Sequence, residues 1–296
     1  MAAAPRQGMS WENLVYILDF LGHSNENQVS YLGGEPTLHP EFVRFVRYAL
    51  DRNFCVTVFT SGIVSKATLA LMTGCLSGVP SEKLGFICNL NHPSLSSDAE
   101  LASIHRFLDA FGRQTKPGYS IYQVDFDLDF MADYVDRFSL RKQLRLGVAH
   151  PIVGQANAFI PAADLSAMAR RLVGYIPFFQ ATGMEPKFDC GMPLCLFNET
   201  ELATFSRLAG GPLRFACEPA IDIGPDLNVW ACFPLQAVRK KSLRDFNYLS
   251  EVNQFCKQTQ VELRADRGVF PACATCVFRA GGACGAGCVA HLMQGQ

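Results

Sequence analysis

The chain has no apolar run near the roughly 20 residues that a membrane-spanning helix requires. Its first residues, MAAAPRQGM, lack the apolar core of a signal peptide. It has no strongly basic tract either. The longest such cluster is Arg239-Lys240-Lys241, and 26 Lys and Arg stand against 27 Asp and Glu for a net charge of −1. These absences argue against a membrane span, remove the electrostatic footprint of a nucleic-acid binder, and predict a cytoplasmic protein. No internal repeat or low-complexity tract interrupts the 296 residues, which are enough to bury a substantial core. There is also no cysteine before Cys55, although the chain carries twelve.

In a reducing compartment so many cysteines point to metal or redox chemistry and not to a disulfide framework. Nine of them lie between Cys190 and Cys288. Cys273-x2-Cys276-x7-Cys284-x3-Cys288 is a compact set of four thiols on loops loosened by Gly281, Gly282, Gly285 and Gly287. Such a set can converge on a structural zinc or on an iron–sulfur cluster, and backbone N–H groups turned toward sulfide by the glycines favour the cluster. Cys217-x14-Cys232 brackets IDIGPDLNVWA, which reads as a hairpin whose strand ends bring the two thiols together. Cys190-x4-Cys195 is a further pair, equally readable as two small core residues. Cys55, Cys75, Cys88 and Cys256 read as core or unassigned.

From residue 10 to about 191, helical and strand-like segments alternate. Ser10 caps a helix with Trp11, Leu14, Val15, Leu18 and Leu21 on one face. Strands are predicted at QVSYL, FCVTVFT, KLGFICN, GYSIYQVDF, LRLGVAHPIV and EPKFDCG. Helices are predicted at 40–53, 65–74, 98–112, near 130–142 and at 162–182. This alternation implies parallel βαβ units in an open sheet or a barrel. The series opens on a helix, so either a first strand does not exist or the chain as given begins late. After residue 192 the pattern gives way to Gly-, Pro- and Cys-rich sequence with one helical stretch near 242–259. Two units are therefore expected, 1–191 and 192–296.

Gly33-Gly34-Glu35-Pro36 follows the first strand directly. Two glycines free the backbone and let it approach a ligand, and a fixed carboxylate beside them can hold a cation. The plainer reading is a strand-to-helix turn punctuated by Pro36 and Pro40. Its place at the C-terminal end of a parallel strand, where such sheets carry their sites, favours the ligand. Asp125, Asp127 and Asp129 read as a strand running into a helix N-terminus, and His92 and His150 as turn histidines.

Gly33-Gly34-Glu35-Pro36 with Leu38-His39-Pro40, followed after the next strand by Thr60-Ser61-Gly62, resembles the radical S-adenosylmethionine (radical SAM) superfamily. The set Cys217, Cys232, Cys273, Cys276, Cys284 and Cys288 resembles that superfamily's SPASM/twitch extension. The resemblance covers nearly the whole chain. It implies an α/β fold, a partial (β/α)6 TIM-like barrel missing its first strand, plus a small Cys-rich C-terminal domain with one or two auxiliary [4Fe–4S] clusters. Gly33, Gly34 and Glu35 would hold the amino group of SAM, and Pro36, Thr60, Ser61, Gly62 and Asn89 would line its pocket.

Members of the superfamily bear a Cys-x3-Cys-x2-Cys loop after the first strand, which this sequence does not contain. The resemblance thus implies that SAM binding is weak or lost in this chain. Leu227 stands where a glycine is usual before the second cysteine. The Cys276-to-Cys284 spacing is two residues longer than the common one, and no cysteine follows Cys288. Cys190 or Cys195 is then the candidate fourth ligand of the second cluster. The function expected is that of a radical SAM/SPASM-type iron–sulfur protein. It would modify a peptide or mature another enzyme through a 5′-deoxyadenosyl radical in its complete form, with an electron donor such as flavodoxin or ferredoxin. The alternatives are a non-catalytic cluster-bearing binding partner with a degenerate SAM site, and a zinc-stabilised scaffold.

Overall fold

The computed structural model describes residues 8–189, 191–265 and 267–293. The chain opens with α1 (Trp11–His23), capped as expected by the Ser10 hydroxyl, which accepts the Asn13 N–H at 3.1 Å. Then follow β1 (Gln28–Tyr31), α2 (Phe42–Asp51), β2 (Cys55–Thr60), α3 (Lys66–Leu76), β3 (Leu84–Asn89), α4 (Asp98–Phe111) and β4 (Thr115–Ile121). The series continues with α5 (Phe130–Phe138), β5 (Gln143–Val148), α6 (Leu165–Gly174), α7 (Ile176–Thr182), β6 (Glu185–Phe188) and α8 (Glu199–Leu208).

β1 to β6 form one sheet in sequential order, each strand parallel to the next. A doubly wound sheet reverses its strand order partway; a barrel wall does not. The unreversed order keeps every crossover helix on one face, and β1 ends the sheet with no neighbour on its outer edge among the described residues. Val56 and Val58 of β2 and Leu84 and Phe86 of β3 are buried on the helix side. There Phe86 packs against Phe107 and Phe111 of α4, with ring centroids 5.4 and 5.0 Å apart. The alternate residues, among them Phe59, Ile87, Asn89 and Arg145, look to the other, half-buried face.

After α8 come the hairpin β7 (Ile221–Ile223) and β8 (Asn228–Ala231), then β9 (Lys241–Ser242), an antiparallel three-stranded sheet in that order. α9 (Leu249–Arg264) and the single turn α10 (Val277–Ala280) complete the elements. The sheets are separate but the core is continuous: Leu227, Val229, Leu243 and Val252 belong to the same buried cluster as Leu14 and Phe45. The seam is also polar. Asn13 donates to the Pro225 carbonyl at 2.7 Å, and the Ser24 hydroxyl accepts the Leu249 N–H at 2.9 Å. No helix of the described residues is long and apolar enough to cross a membrane.

Several expected boundaries move. The buried face of α1 takes in Ile17 and Phe20 and leaves Trp11 and Val15 half-exposed. β4 lies at Thr115–Ile121 and not at 118–126, because Tyr122 to Asp129 turn away. Asp125 and Asp127 are consequently loop residues, while Asp129 stands at the N-cap of α5 as expected, its N–H donating to the Asp127 carboxylate at 2.8 Å. The helix expected at 162–182 breaks at Tyr175, since Pro177 restarts it. α5 stops at Phe138, where Ser139 takes a left-handed φ of 54°. α9 starts at Leu249 because Lys241 and Ser242 pair with β8 instead.

Candidate functional site

The turn after β1 carries Gly33 at φ 89° and Gly34 at φ 53°. An L side chain rarely adopts either value, so the turn demands glycine. A Cβ built on either residue would meet nothing within 4 Å, so the space beside this backbone is open. Glu35 ends the turn and points along the strand ends. Its Oε1 accepts from the Thr37 N–H at 3.2 Å, the Thr37 hydroxyl at 2.8 Å and the Thr60 hydroxyl at 2.8 Å. Its Oε2 accepts the N–H and the hydroxyl of Ser61, both at 2.8 Å. An ionised carboxylate offers about four lone-pair positions. Five donors from the chain saturate them. Glu35 thus ties β1 to the end of β2, and its carboxylate is committed within the protein before any ligand arrives.

Thr60, Ser61 and Gly62 are brought together with Glu35 as expected, and Thr37 joins them. Pro36 opens the short 3-10 turn Pro36–Leu38 that carries Thr37. Asn89, at the end of β3, belongs to a neighbouring polar group. Its Oδ1 accepts from Arg145 Nη1 of β5 at 3.4 Å, and Arg145 forms an ion pair with Asp189 beyond β6. Gly118 of β4 makes the room, because a Cβ there would come within 2.5 Å of Asn89 Oδ1. The Arg145 guanidinium also lies 5.2 Å from the Phe59 ring, so β2, β3, β5 and the segment after β6 share one concave face. Burial raises the Asp189 carboxyl above the ordinary carboxylate range, with Arg145 opposing.

Sequence reading missed Arg145 and Asp189. The available signal was a charged residue inside QLRLGV, an otherwise apolar parallel strand, where a charge needs a partner. A concavity of about 590 Å³ lined by Arg47, Cys75 and Lys83 lies at the opposite ends of the strands and touches none of these residues.

The candidate thiols form two sets that meet where Gly285, next to Cys284, lies against Cys217 so closely that a Cβ there would come within 2.7 Å of the Cys217 Cβ. In one, Cys217 and Cys232 flank the buried Gln260 of α9: the Cys217 thiol lies 3.4 Å from Gln260 Oε1, and Gln260 Nε2 lies 3.4 Å from Cys232 Sγ. The hairpin brings them there, as its spacing predicts, and the Ala220 N–H donates to Cys232 Sγ at 3.3 Å. Cys288 sits on this side, packed against the buried Leu235, Val289 and Ala290. The other group holds Cys273 and Cys284, both buried, with Cys276 three residues after Cys273. Cys195 is exposed but partly desolvated, which raises its thiol, and Cys273, Cys284 and Cys276 raise it further, so all four stand within electrostatic reach. Cys190 lies outside the described residues. Cys256 is buried within α9, and Cys75 is exposed on α3.

Among the described residues no three His, Cys, Asp or Glu side chains close to the spacing of one bound metal ion. A [4Fe–4S] cluster places irons and sulfides between its thiolates, so its ligands stand farther apart than those of a single zinc. An all-thiol donor set with N–H groups aimed at sulfur is chemically suited to such a cluster.

No protein-family model matches the chain, and no curated protein does. Solved structures do. Over 100% of this chain and 69% of the other, it aligns with Streptococcus suis SuiB bound to S-adenosylmethionine at a TM-score of 0.63 and 14% identity. SuiB bound to the precursor peptide SuiA aligns over 99% of this chain and 69% of the other, at 0.60 and 15%. Histidine-tagged anSMEcpe with bound AdoMet aligns over 95% and 80%, at 0.58 and 13%. At these identities the likeness is one of fold, and it runs through both halves of the chain. The protein therefore has the fold expected from its resemblance to radical SAM proteins: a parallel, barrel-type α/β sheet continued by a small cysteine-rich extension.

Proposed function

We propose that the protein is a radical SAM/SPASM-type iron–sulfur protein that acts on a peptide or small protein. The observation that carries this reading is the coincidence of two independent features on one fold. Gly33, Gly34, Glu35, Thr60 and Ser61 meet at the open ends of parallel strands, and seven candidate thiols gather in the extension. The backbone of Gly33 and Gly34 would face the amino group of SAM, with Glu35 holding that backbone in place. The Cys-rich half would carry one or two auxiliary clusters, which supply electron transfer or a substrate contact when bound. A peptide substrate is the reading favoured by the bound precursor peptide of SuiB. A flavodoxin or ferredoxin is the electron donor proposed. Cytoplasmic placement and the division at 191/192 belong to the same proposal.

A second reading has its own observation. The sequence holds no Cys-x3-Cys-x2-Cys loop and Glu35 is already saturated, so this chain would bind SAM weakly and act as a cluster-bearing partner. Anaerobic reconstitution with iron and sulfide, followed by SAM calorimetry and an assay for 5′-deoxyadenosine under reduction, separates the two. Iron and sulfide up to about eight each with measurable SAM cleavage supports the enzyme. Loaded clusters without cleavage support the partner. Stoichiometric zinc alone, without a visible charge-transfer band, sinks both.

A further inference from the structure

Three thiols, Cys273, Cys276 and Cys284, do not complete a cluster that takes four thiolates. The next cysteine in sequence, Cys288, packs in a small cluster with Leu235, which lies three residues after Cys232. A different segment reaches the three. Pro193 leads into the short 3-10 turn Leu194–Leu196 that follows β6. The Leu194 N–H points at Cys284 Sγ at 3.4 Å, and the Ala286 N–H reaches the same sulfur at 3.3 Å. Leu196 and Phe197, both buried, pin this turn to the core, and Arg170 of α6 donates to the Leu196 carbonyl at its end. Phe215 pairs with Cys284 as an isolated bridge, and its ring centroid lies 6.2 Å from that of Phe197. Cys195 stands between the residue bonded to Cys284 and these anchors, and it is exposed.

We infer that Cys195 supplies the fourth thiolate of the Cys273–Cys276–Cys284 site, so that the turn after β6, and not Cys288, closes it. The inference rests on the cluster reading above and deepens it by dividing the thiols. Its consequence is mechanical. A ligand at Cys195 and three at Cys273–Cys284 would clamp the end of the parallel sheet to the extension across more than 70 residues of chain, the arrangement in which a metal cross-link removes most unfolded-state freedom.

The test compares wild type, Cys195→Ala, Cys195→Ser and the exposed-surface control Cys75→Ala after identical anaerobic reconstitution. In wild type, iodoacetamide labelling of Cys195, read by mass spectrometry, should slow at least tenfold on loading iron and sulfide. Either Cys195 variant should lose up to about four irons. If it keeps them, it should present one iron that binds added cyanide or imidazole, with a changed spectrum of the reduced cluster. Cys75→Ala should match wild type. Equal labelling of Cys195 with and without clusters, together with variants unchanged in iron and in the cyanide response, overturns the inference while the cluster reading stands. A wild-type chain that takes up no iron overturns the cluster reading first and the inference with it.

Discussion

The Glu35 carboxylate accepts both the backbone N–H and the side-chain hydroxyl of Ser61, each at 2.8 Å, across 26 residues of sequence. With the Thr37 and Thr60 hydroxyls on its other oxygen, it joins the ends of β1 and β2. A neutral amide at this position turns two donors toward groups that are themselves donors. Glu35→Gln should therefore destabilise the protein by about 2 kcal/mol, as expected when charge-assisted bonds are lost. Ser61→Ala should cost about 1 kcal/mol. If urea unfolding finds Glu35→Gln within about 0.5 kcal/mol of wild type, the brace is unimportant and the glutamate is free for a ligand.

The Arg145–Asp189 pair makes a second forecast. Its side chains are 25% and 35% exposed, and burial already raises the carboxyl. Arg145→Ala leaves that carboxylate without its cation, and the loss should be about 1–3 kcal/mol, below the figure for a fully buried pair because water reaches both groups. Arg145→Lys should restore part of it. Thermal unfolding of the three proteins at neutral pH, with Arg145→Ala no less stable than wild type, would remove the pair from the account of this face.

Asp222 sets a pH dependence. Burial pushes its carboxyl up to about 6, with the indole of its cross-strand partner Trp230 opposing. The native state then holds the proton more tightly than the unfolded chain. Stability from this group is present below about pH 4, the unfolded carboxylate value, and is lost as pH rises toward 6. Asp222→Asn should be more stable than wild type at pH 7 by up to about 1 kcal/mol, discounted for partial exposure, and the two should converge near pH 4. Unfolding curves at pH 4, 5, 6 and 7 check the sign: a gap that widens toward acid refutes it.

Much of this was legible in the sequence. Parallel sheets carry their sites at the C-terminal ends of the strands, so Gly33-Gly34-Glu35 stands out once the alternation is seen, whereas Thr60 and Ser61 are marked only by the resemblance to radical SAM proteins. Arg145 and Asp189 did not, because the strand pattern says which residues alternate but not which residues of distant strands share a face. Cysteine spacing named the thiols and predicted the Cys217–Cys232 hairpin. It did not divide them into groups, since Gly-rich loops leave the partners of each sulfur to tertiary packing. β4 was misplaced because Pro117 sits inside it, paired opposite Cys88, where a proline ordinarily argues against a strand.

Leu227 carries the last prediction. It sits in the β7–β8 turn at φ 63°, a left-handed conformation, and yet its side chain is buried at 3% exposure. The turn fixes it from both sides: its N–H donates to the Gly224 carbonyl at 3.0 Å, and its carbonyl accepts the Leu243 N–H at 2.7 Å. Two terms oppose. The left-handed backbone costs a branched residue about 1–2 kcal/mol, while burying the side chain contributes about 1.5–3 kcal/mol. Packing wins, which is why leucine is stable where the resembling family carries glycine. Leu227→Ala loses the packing and keeps the strain; Leu227→Gly loses the packing and relieves it. At most positions glycine is the more damaging of the two by about 0.5–1 kcal/mol, because it gains freedom in the unfolded chain. Here the order should invert, with Leu227→Gly the more stable by about 1 kcal/mol although both fall below wild type. The same hairpin sets the Cys217–Cys232 approach, so both variants should also lower iron uptake relative to wild type. Urea unfolding that ranks Leu227→Ala above Leu227→Gly would show that this turn is unstrained and that the leucine stays for another reason.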